Sequence, residues 1–272
     1  MSQAFAAAEG PRIAVLTRPA GRNETLASRL LGAGWQSCIL PALEIQALPI
    51  ASVDLPRPSS YDLVVFVSGN AARQYLDQLA LADGSVSWPA GVAAATVGPA
   101  SAQALRDSGY FGANTTVLCP DESAASHDSE ALWSILESLP KLPGRVLLVR
   151  GTQGRDWLGD KLEAHGASVT RHAAYLRRPA DWNSGQLATL RQWADAGSIA
   201  TWLITSGEGA DAIRDHVQAA GLADWWQRCR FVLTHPTLAR RVPQPRDSAG
   251  CQAMVKICLP NDESIFQAFV AA

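Results

Sequence analysis

Cysteine is scarce in this 272-residue chain, and the five that occur, Cys38, Cys119, Cys229, Cys251 and Cys258, include no C-x-x-C pair. An odd and scattered set fits neither a disulfide framework nor a zinc site, so the cysteines read as small apolar residues. No apolar run approaches the roughly 18 residues needed to cross a bilayer. The opening MSQAFAAAEG lacks the basic start and long apolar stretch of an export signal, which makes the cytosol the expected location and a membrane an unexpected partner. The formal net charge is -2, and no Lys/Arg-rich run or basic helix is present, so nucleic acid is not expected either. The histidines His127, His165, His172, His216 and His235 show no metal-ligand spacing. No G-x-G-x-x-G follows a strand, and RGTQGRDWLG has the wrong glycine spacing for a dinucleotide loop or a P-loop.

What the chain does have is apolar substance in a regular order. Hydrophobic residues make up 47% of it, enough for one large or two moderate globular domains. The strand-like RIAVLTR leads into the helical NETLASRLLGAG, with leucines at Leu26, Leu30 and Leu31 and a stop at Gly34. LVVFVSGNAARQYL, GVAAATVG with PASAQALRDSG, TTVLCP with DSEALWSILESL, and RVLLVRG with GRDWLGDKLEAHG repeat the alternation. Such βα alternation defines an α/β class with parallel sheets covered on both faces. The tryptophans Trp182, Trp193, Trp202, Trp225 and Trp226 are assigned mostly to a core in the second half.

The chain also resembles itself. An offset of 132 residues lays Arg18 on Arg150, Leu26 on Leu158, Leu30 on Leu162 and Gly34 on Gly166; at 138, Ser68-Gly69 falls on Ser206-Gly207, and at 137, Gly98-Pro99 falls on His235-Pro236. TVLCPDES and KICLPNDES match before each final helix. The sequence therefore predicts an internal duplication of two α/β units. QSCILPALEIQALP and ASVTRHAAYLRRPA interleave polar and apolar residues, unlike buried parallel strands, and are expected to cross between the units as a paired linker. The simplest assembly puts residues 1–43 and 177–272 in one domain and 44–176 in the other. The Pro-rich stretch from Arg240 to Lys256 lacks the short helix-to-strand connection expected there.

Taken in order and across almost the whole chain, VLTRPAGRNETLASRLLGAG, VFVSGNAARQYL, ATVGPASAQAL, LLVRGTQGRDWLGDKLEAHGASVTRHAAYLRR, ITSGEGADAI and LTHPTLA make the sequence resemble the uroporphyrinogen-III synthase family. The resemblance implies two flavodoxin-like parallel-sheet domains joined by a two-stranded linker. It implies a cofactor-free enzyme that closes hydroxymethylbilane to uroporphyrinogen III with inversion of the last pyrrole ring. A monomer and a transient contact with the preceding pathway enzyme are the accompanying expectations.

Candidate site residues follow from where ligands bind in such sheets, beyond the carboxyl ends of the strands, at helix N-termini that attract carboxylates. The substrate implied by the resemblance carries eight carboxylates. Gly69 and Gly98 would let backbone approach it, and Ser68, Asn70, Ser101, Ser206 and the adjacent Gly207 stand at the same turns; simple helix capping is the other reading of these polar residues. Arg18, Arg150 and Arg155 can each fork onto a carboxylate, or instead pair with an acid such as Asp156. His235, with Thr237 two residues on, falls at a strand end. The resemblance places the family's tyrosine at Tyr175, whose phenol would donate a proton to the departing hydroxyl group. Two rivals remain open on sequence: an anion-binding protein of two domains without turnover, and a nucleotide-dependent transferase, which the glycine spacing disfavours.

Overall fold

The computed structural model describes residues 11–84, 87–112, 114–121, 124, 126–243 and 255–271. In chain order the elements are β1 (Arg12–Leu16), α1 (Glu24–Gly32), β2 (Trp35–Ile39), β3 (Leu43–Ala47), β4 (Leu63–Phe66), α2 (Gly69–Asp83), β5 (Ala93–Thr96), α3 (Pro99–Asp107), β6 (Val117–Leu118), α4 (Ser129–Glu137), β7 (Arg145–Gly151), α5 (Trp157–Ala164) and β8 (Ser168–Pro179). They continue with α6 (Ser184–Asp195), β9 (Ala200–Ile204), α7 (Gly207–Ala219), α8 (Ala223–Trp226), β10 (Arg230–Leu233), β11 (Val255–Ile257) and α9 (Asp262–Val270). Two compact units result, Met1–Glu44 with Arg178–Ala272, and Ile45–Arg177.

Each unit is built on one sheet. The first has the order β11-β10-β9-β1-β2 and the second β3-β8-β7-β4-β5-β6. The pairs β1·β2, β1·β9, β9·β10 and β10·β11 are parallel, as are β4·β5, β4·β7, β5·β6 and β7·β8. Read as β2-β1-β9-β10-β11, the first sheet has the flavodoxin-like order 2-1-3-4-5. In the second, β8-β7-β4-β5-β6 has the same spatial order, with the segment from β7 to β8 arriving last in the chain instead of first. The duplication is thus carried by topology as well as by residues: β1 answers to β7, β9 to β4, β10 to β5 and α9 to α4.

The apolar runs are continuous because both faces of each strand are covered. Within β1, Ile13 and Val15 join a core with Trp202, Ile213 and Trp225, while Ala14 and Leu16 point to the opposite core with Leu26, Leu30 and Phe269. Strand β4 divides likewise, Val64 and Phe66 packing with Tyr75 and Leu79, Leu63 and Val65 with Leu132 and Leu162. Four of the expected tryptophans are buried, and Trp202 meets Trp225 and Trp226 in edge-on contacts with ring centroids 6.1 and 6.3 Å apart. The four cysteines among the described residues are free, and burial pushes the Cys229 thiol up to about 11, as befits an apolar packing residue. Cys251 and residues 244–254 of the Pro-rich stretch lie outside the described residues.

One expectation is corrected. The interleaved segments after the first helix of each repeat do form parallel strands, β2 against β1 from Arg12↔Trp35 to Leu16↔Ile39, and β8 against β7 from Arg145↔Ser168 onward. Their mixed composition arises because β2 is an outer strand with Gln36 and Ser37 exposed, and β8 is only partly covered. The chain passes from one unit to the other inside β3 and again inside β8. These two neighbours run antiparallel, with Leu48 N–H donating to Ala174 O and Ala180 N–H to Ala42 O.

Trp202 is fully buried at the centre of its core, so Trp202→Ala should lower unfolding free energy by roughly 3–5 kcal/mol. Denaturant unfolding followed by circular dichroism checks this, and a loss below about 1 kcal/mol would show that the site collapses around the smaller side chain.

Candidate functional site

Parallel strands all point the same way, so the turns after them gather on one edge of each sheet. Every sequence-derived candidate falls there: Arg18 after β1, Ser68, Gly69 and Asn70 after β4, Gly98 and Ser101 after β5, Arg150 and Arg155 at the end of β7, Tyr175 on β8, Ser206 and Gly207 after β9, and His235 and Thr237 after β10.

In the second unit two candidates meet, Ser68 and Tyr175. The tyrosine is 2% exposed, and its Oη lies 3.1 Å from Ser68 Oγ. Arg177 Nη2 donates to the same Oη at 3.4 Å. Ser68 is the N-cap of α2 and accepts from the Ala71 N–H at 3.1 Å, so capping is real. A hydroxyl that accepts in this way still carries a proton, which it can offer to the phenol oxygen. The phenol's own hydrogen is then available to another acceptor. Gly69 faces the neighbouring turn, since a Cβ built there would lie 3.6 Å from Ser101 Oγ. Gly98 is buried as the N-cap of α3, where an added Cβ would meet the Cβ of His127 at 3.2 Å. Asn70 takes a hydrogen bond from Arg73 at 2.6 Å.

The two candidate arginines of this unit are engaged by the protein itself. Arg150 donates to Gly151 O, to Gly154 O at 2.6 Å and to Asp156 Oδ1 at 3.0 Å, pinning the β7–α5 loop. Asp156 also receives Arg171 from β8, which reaches on to Glu163 at 2.6 Å. Arg155 pairs with Glu130 at 2.8 and 3.0 Å through a largely exposed side chain. The acid pairing weighed for Arg150 is therefore the arrangement present, and Arg155 is paired as well.

The first unit presents a different arginine. Arg18 is 9% exposed, its Nη1 bonds Asp262 Oδ1 at 2.6 Å, and its Nε and Nη2 are buried without a hydrogen-bond partner among the described residues. It lines a polar cavity of about 370 Å³ with Gly21, Arg22, Glu24, Thr25 and the turn 260–262. Asn23 Nδ2 donates to Arg18 O at 2.7 Å and fixes this turn. The end of β1 is tied to β9 by Thr17 Oγ1 donating to Leu203 O. Ser206 caps α7 by accepting from the Gly209 N–H at 3.0 Å, as Ser68 does in the other repeat. Gly207 leaves space beside Arg241, whose Nε would lie 3.8 Å from an added Cβ. His235 Nδ1 accepts from the Thr237 N–H at 3.2 Å and lies 2.8 Å from its Oγ1, closing a short turn exposed to solvent. Among the described residues no group of His, Cys, Asp or Glu could hold a metal ion.

Several neighbours of the candidates left no mark in the sequence. Gly151 and Arg177 acquire their positions from the pairing of β7 with β8. A buried polar tether also sits below Tyr175: His172 Nε2 bonds Gln78 Oε1 at 2.7 Å, and Gln78 Nε2 donates to Leu48 O at 2.7 Å. The only sequence signal for it was a polar Gln78 on the apolar side of α2.

A two-unit α/β protein whose strand-end turns and one tyrosine lie at the carboxyl edge of its sheets is the class these features define among the described residues. A family model described as uroporphyrinogen-III synthase HemD matches residues 24–247. The uroporphyrinogen-III synthase of Salmonella typhimurium is 30% identical over 229 residues, covering 83% of this chain and 88% of that protein. That of Escherichia coli is 27% identical over 233 residues, with the same shares of both chains. Among solved structures, uroporphyrinogen-III synthetase from Helicobacter pylori aligns with a TM-score of 0.55 at 15% identity over 96% of this chain and 99% of that one, a likeness of fold. A mutant uroporphyrinogen III synthase from Thermus thermophilus gives a TM-score of 0.54 at 16% identity over 96% and 98%. The chain belongs to the uroporphyrinogen-III synthase family.

Burial pushes the His172 imidazole below its ordinary value of 6.5. The unfolded chain then takes up a proton first as pH falls, so the stability tied to the neutral ring is present above about 6.5 and is lost on acidification below it. Urea midpoints measured from pH 7.5 to 5.5 should fall more steeply for the native protein than for His172→Asn. Parallel profiles would contradict the assignment.

Proposed function

We propose that the protein is a uroporphyrinogen-III synthase, which cyclises hydroxymethylbilane with inversion of the D ring and release of water. Family membership over most of the chain carries the activity. The contact of Tyr175 Oη with Ser68 Oγ, at the C-terminal edge of a parallel sheet, is the observation that supports our mechanism.

Tyr175 acts as the acid. Its phenol gives a proton to the hydroxymethyl oxygen, the C–O bond breaks, and water departs to leave a cationic azafulvenium that keeps its pyrrole N–H. The phenolate is stabilised by the Ser68 hydroxyl and the Arg177 guanidinium. Attack through the substituted carbon of the last ring forms a spiro intermediate, which fragments and recloses. The final loss of a ring proton returns one proton to the phenolate, so the cycle balances without a cofactor.

The substrate is a small molecule, and our reading assigns its carboxylates to the capped turns at Ser68–Asn70, Gly98–Ser101, Ser206–Gly207 and His235–Thr237. The exposed N–H groups and helix dipoles there favour anions. Arg18 is the arginine best prepared for a forked contact, because two of its buried donors have no partner among the described residues and a carboxylate would satisfy them. Arg150 serves by holding the loop, and Arg155 joins the substrate by exchanging Glu130 for a carboxylate. We further propose that the enzyme works in the cytosol as a monomer and receives its unstable substrate by transient contact with the enzyme that makes it. No helix among the described residues is long and apolar enough to cross a membrane.

Hydroxymethylbilane closes spontaneously to the non-inverted isomer I, so added protein should divert the product to isomer III when the porphyrins are oxidised and separated. Unchanged isomer I in the presence of folded protein would leave the anion-binding reading without turnover. Tyr175→Phe should lower kcat by roughly a hundredfold with little change in folding. Full turnover would move the burden of catalysis from the phenol to the turns that hold the bilane curled.

A further inference from the structure

Tyr175 belongs to β8, yet its hydroxyl group meets Ser68 at the end of β4, and β7 lies between those two strands. Strands two apart are separated by roughly 9–10 Å, so the phenol ring must lie across the end of β7. The residue it crosses is Gly151. The β7–β8 register jumps there, from Arg150↔Ala173 to Gly151↔Tyr175, and the irregularity brings Tyr175 opposite the last residue of β7. A Cβ built on Gly151 would lie 2.9 Å from both Cε2 and Cζ of the ring and 3.3 Å from its Oη. Real Cβ atoms do not come so close to a ring. Gly151 has no positive φ, unlike Gly154 at 128°, so an alanine could adopt its backbone conformation. The three atoms nearest that Cβ all belong to Tyr175, so the ring is what demands glycine here.

We infer that Gly151 is a positioning residue for the synthase reaction: by lacking a side chain it lets the Tyr175 phenol cross β7 and be held against Ser68. The inference rests on Tyr175 as the acid. A methyl group at position 151 pushes the ring away from the α2 N-terminus, and misplacement by about 1 Å costs on the order of a hundredfold in rate.

The test is a double-mutant cycle. Gly151→Ala should lower kcat on the order of a hundredfold with KM changed less than about threefold, and adding it to Tyr175→Phe should cost no further rate. A second full loss in the double variant would overturn the inference, because Gly151 would then act through something other than the phenol. Gly151→Ala with native turnover would overturn it as well. To separate misplacement from misfolding, Gly151→Ala on a Tyr175→Ala background, where no ring remains to clash, should unfold at the same denaturant concentration as Tyr175→Ala; a lower midpoint counts against a ring-only effect. If Tyr175→Phe keeps full turnover, the acid reading fails, and a crystal structure of Gly151→Ala still decides the geometry. Oη displaced beyond 3.5 Å from Ser68 Oγ supports the positioning role, and an unmoved ring overturns it.

Discussion

A parallel strand can pair with its neighbour only after the chain has travelled back across a face of the sheet, usually as a helix. That single geometric demand shapes the rest of this protein. It forces βα alternation, covers both faces and so makes the strands apolar throughout, and it sends every strand-to-helix turn to the same edge. Once that edge exists, each turn brings a helix N-terminus with unsatisfied N–H groups. On our reading those N-termini draw the carboxylates of the substrate without a strongly basic chain, whose formal net charge is only -2. The duplication then supplies two such edges from one plan, even though the second repeat closes its sheet with strands taken in a different chain order.

At the turns themselves, capping and function are not competitors. Ser68 and Ser206 each accept from a helix N–H, yet each keeps a hydroxyl proton, and in Ser68 that group meets the phenol of Tyr175. The arginines divide differently. Arg150 and Arg155 satisfy themselves with Asp156 and Glu130, whereas Arg18 keeps two buried donors unpaired among the described residues, at the rim of a polar cavity. Buried unpaired donors carry a free-energy cost that a ligand can relieve, which ranks Arg18 first for a reason that strand position alone does not provide.

The sequence made the α/β class, the helices and the repeat legible because all three rest on periodicity and local punctuation. Leu26, Leu30 and Gly34 fix a helix with no knowledge of anything distant. Mixed strands were harder: the outer β2 and the partly covered β8 interleave polar residues, and nothing local separates the part that pairs in parallel from the part that crosses between the units. The site was half visible. Ser68 and Ser206 stood out by their repeated context, and Tyr175 by family resemblance. Gly151, Arg177 and the His172–Gln78 tether depend on register between β7 and β8 or on packing between residues far apart in the chain, and neither leaves a local pattern. A glycine ending a strand looks like any turn glycine until the partner ring is placed over it.

The central claim, that turns at the carboxyl edge of a sheet bind the tetrapyrrole, is open to one direct measurement: amide hydrogen exchange with and without saturating uroporphyrinogen III. Expected is slowed exchange concentrated in the turns at 17–25, 67–71, 97–102, 150–156, 205–209 and 234–238, together with the β8 amides around Tyr175. Protection at the opposite edge, in the turns after α2, α3 and α7, with the carboxyl-edge turns unchanged, would contradict it.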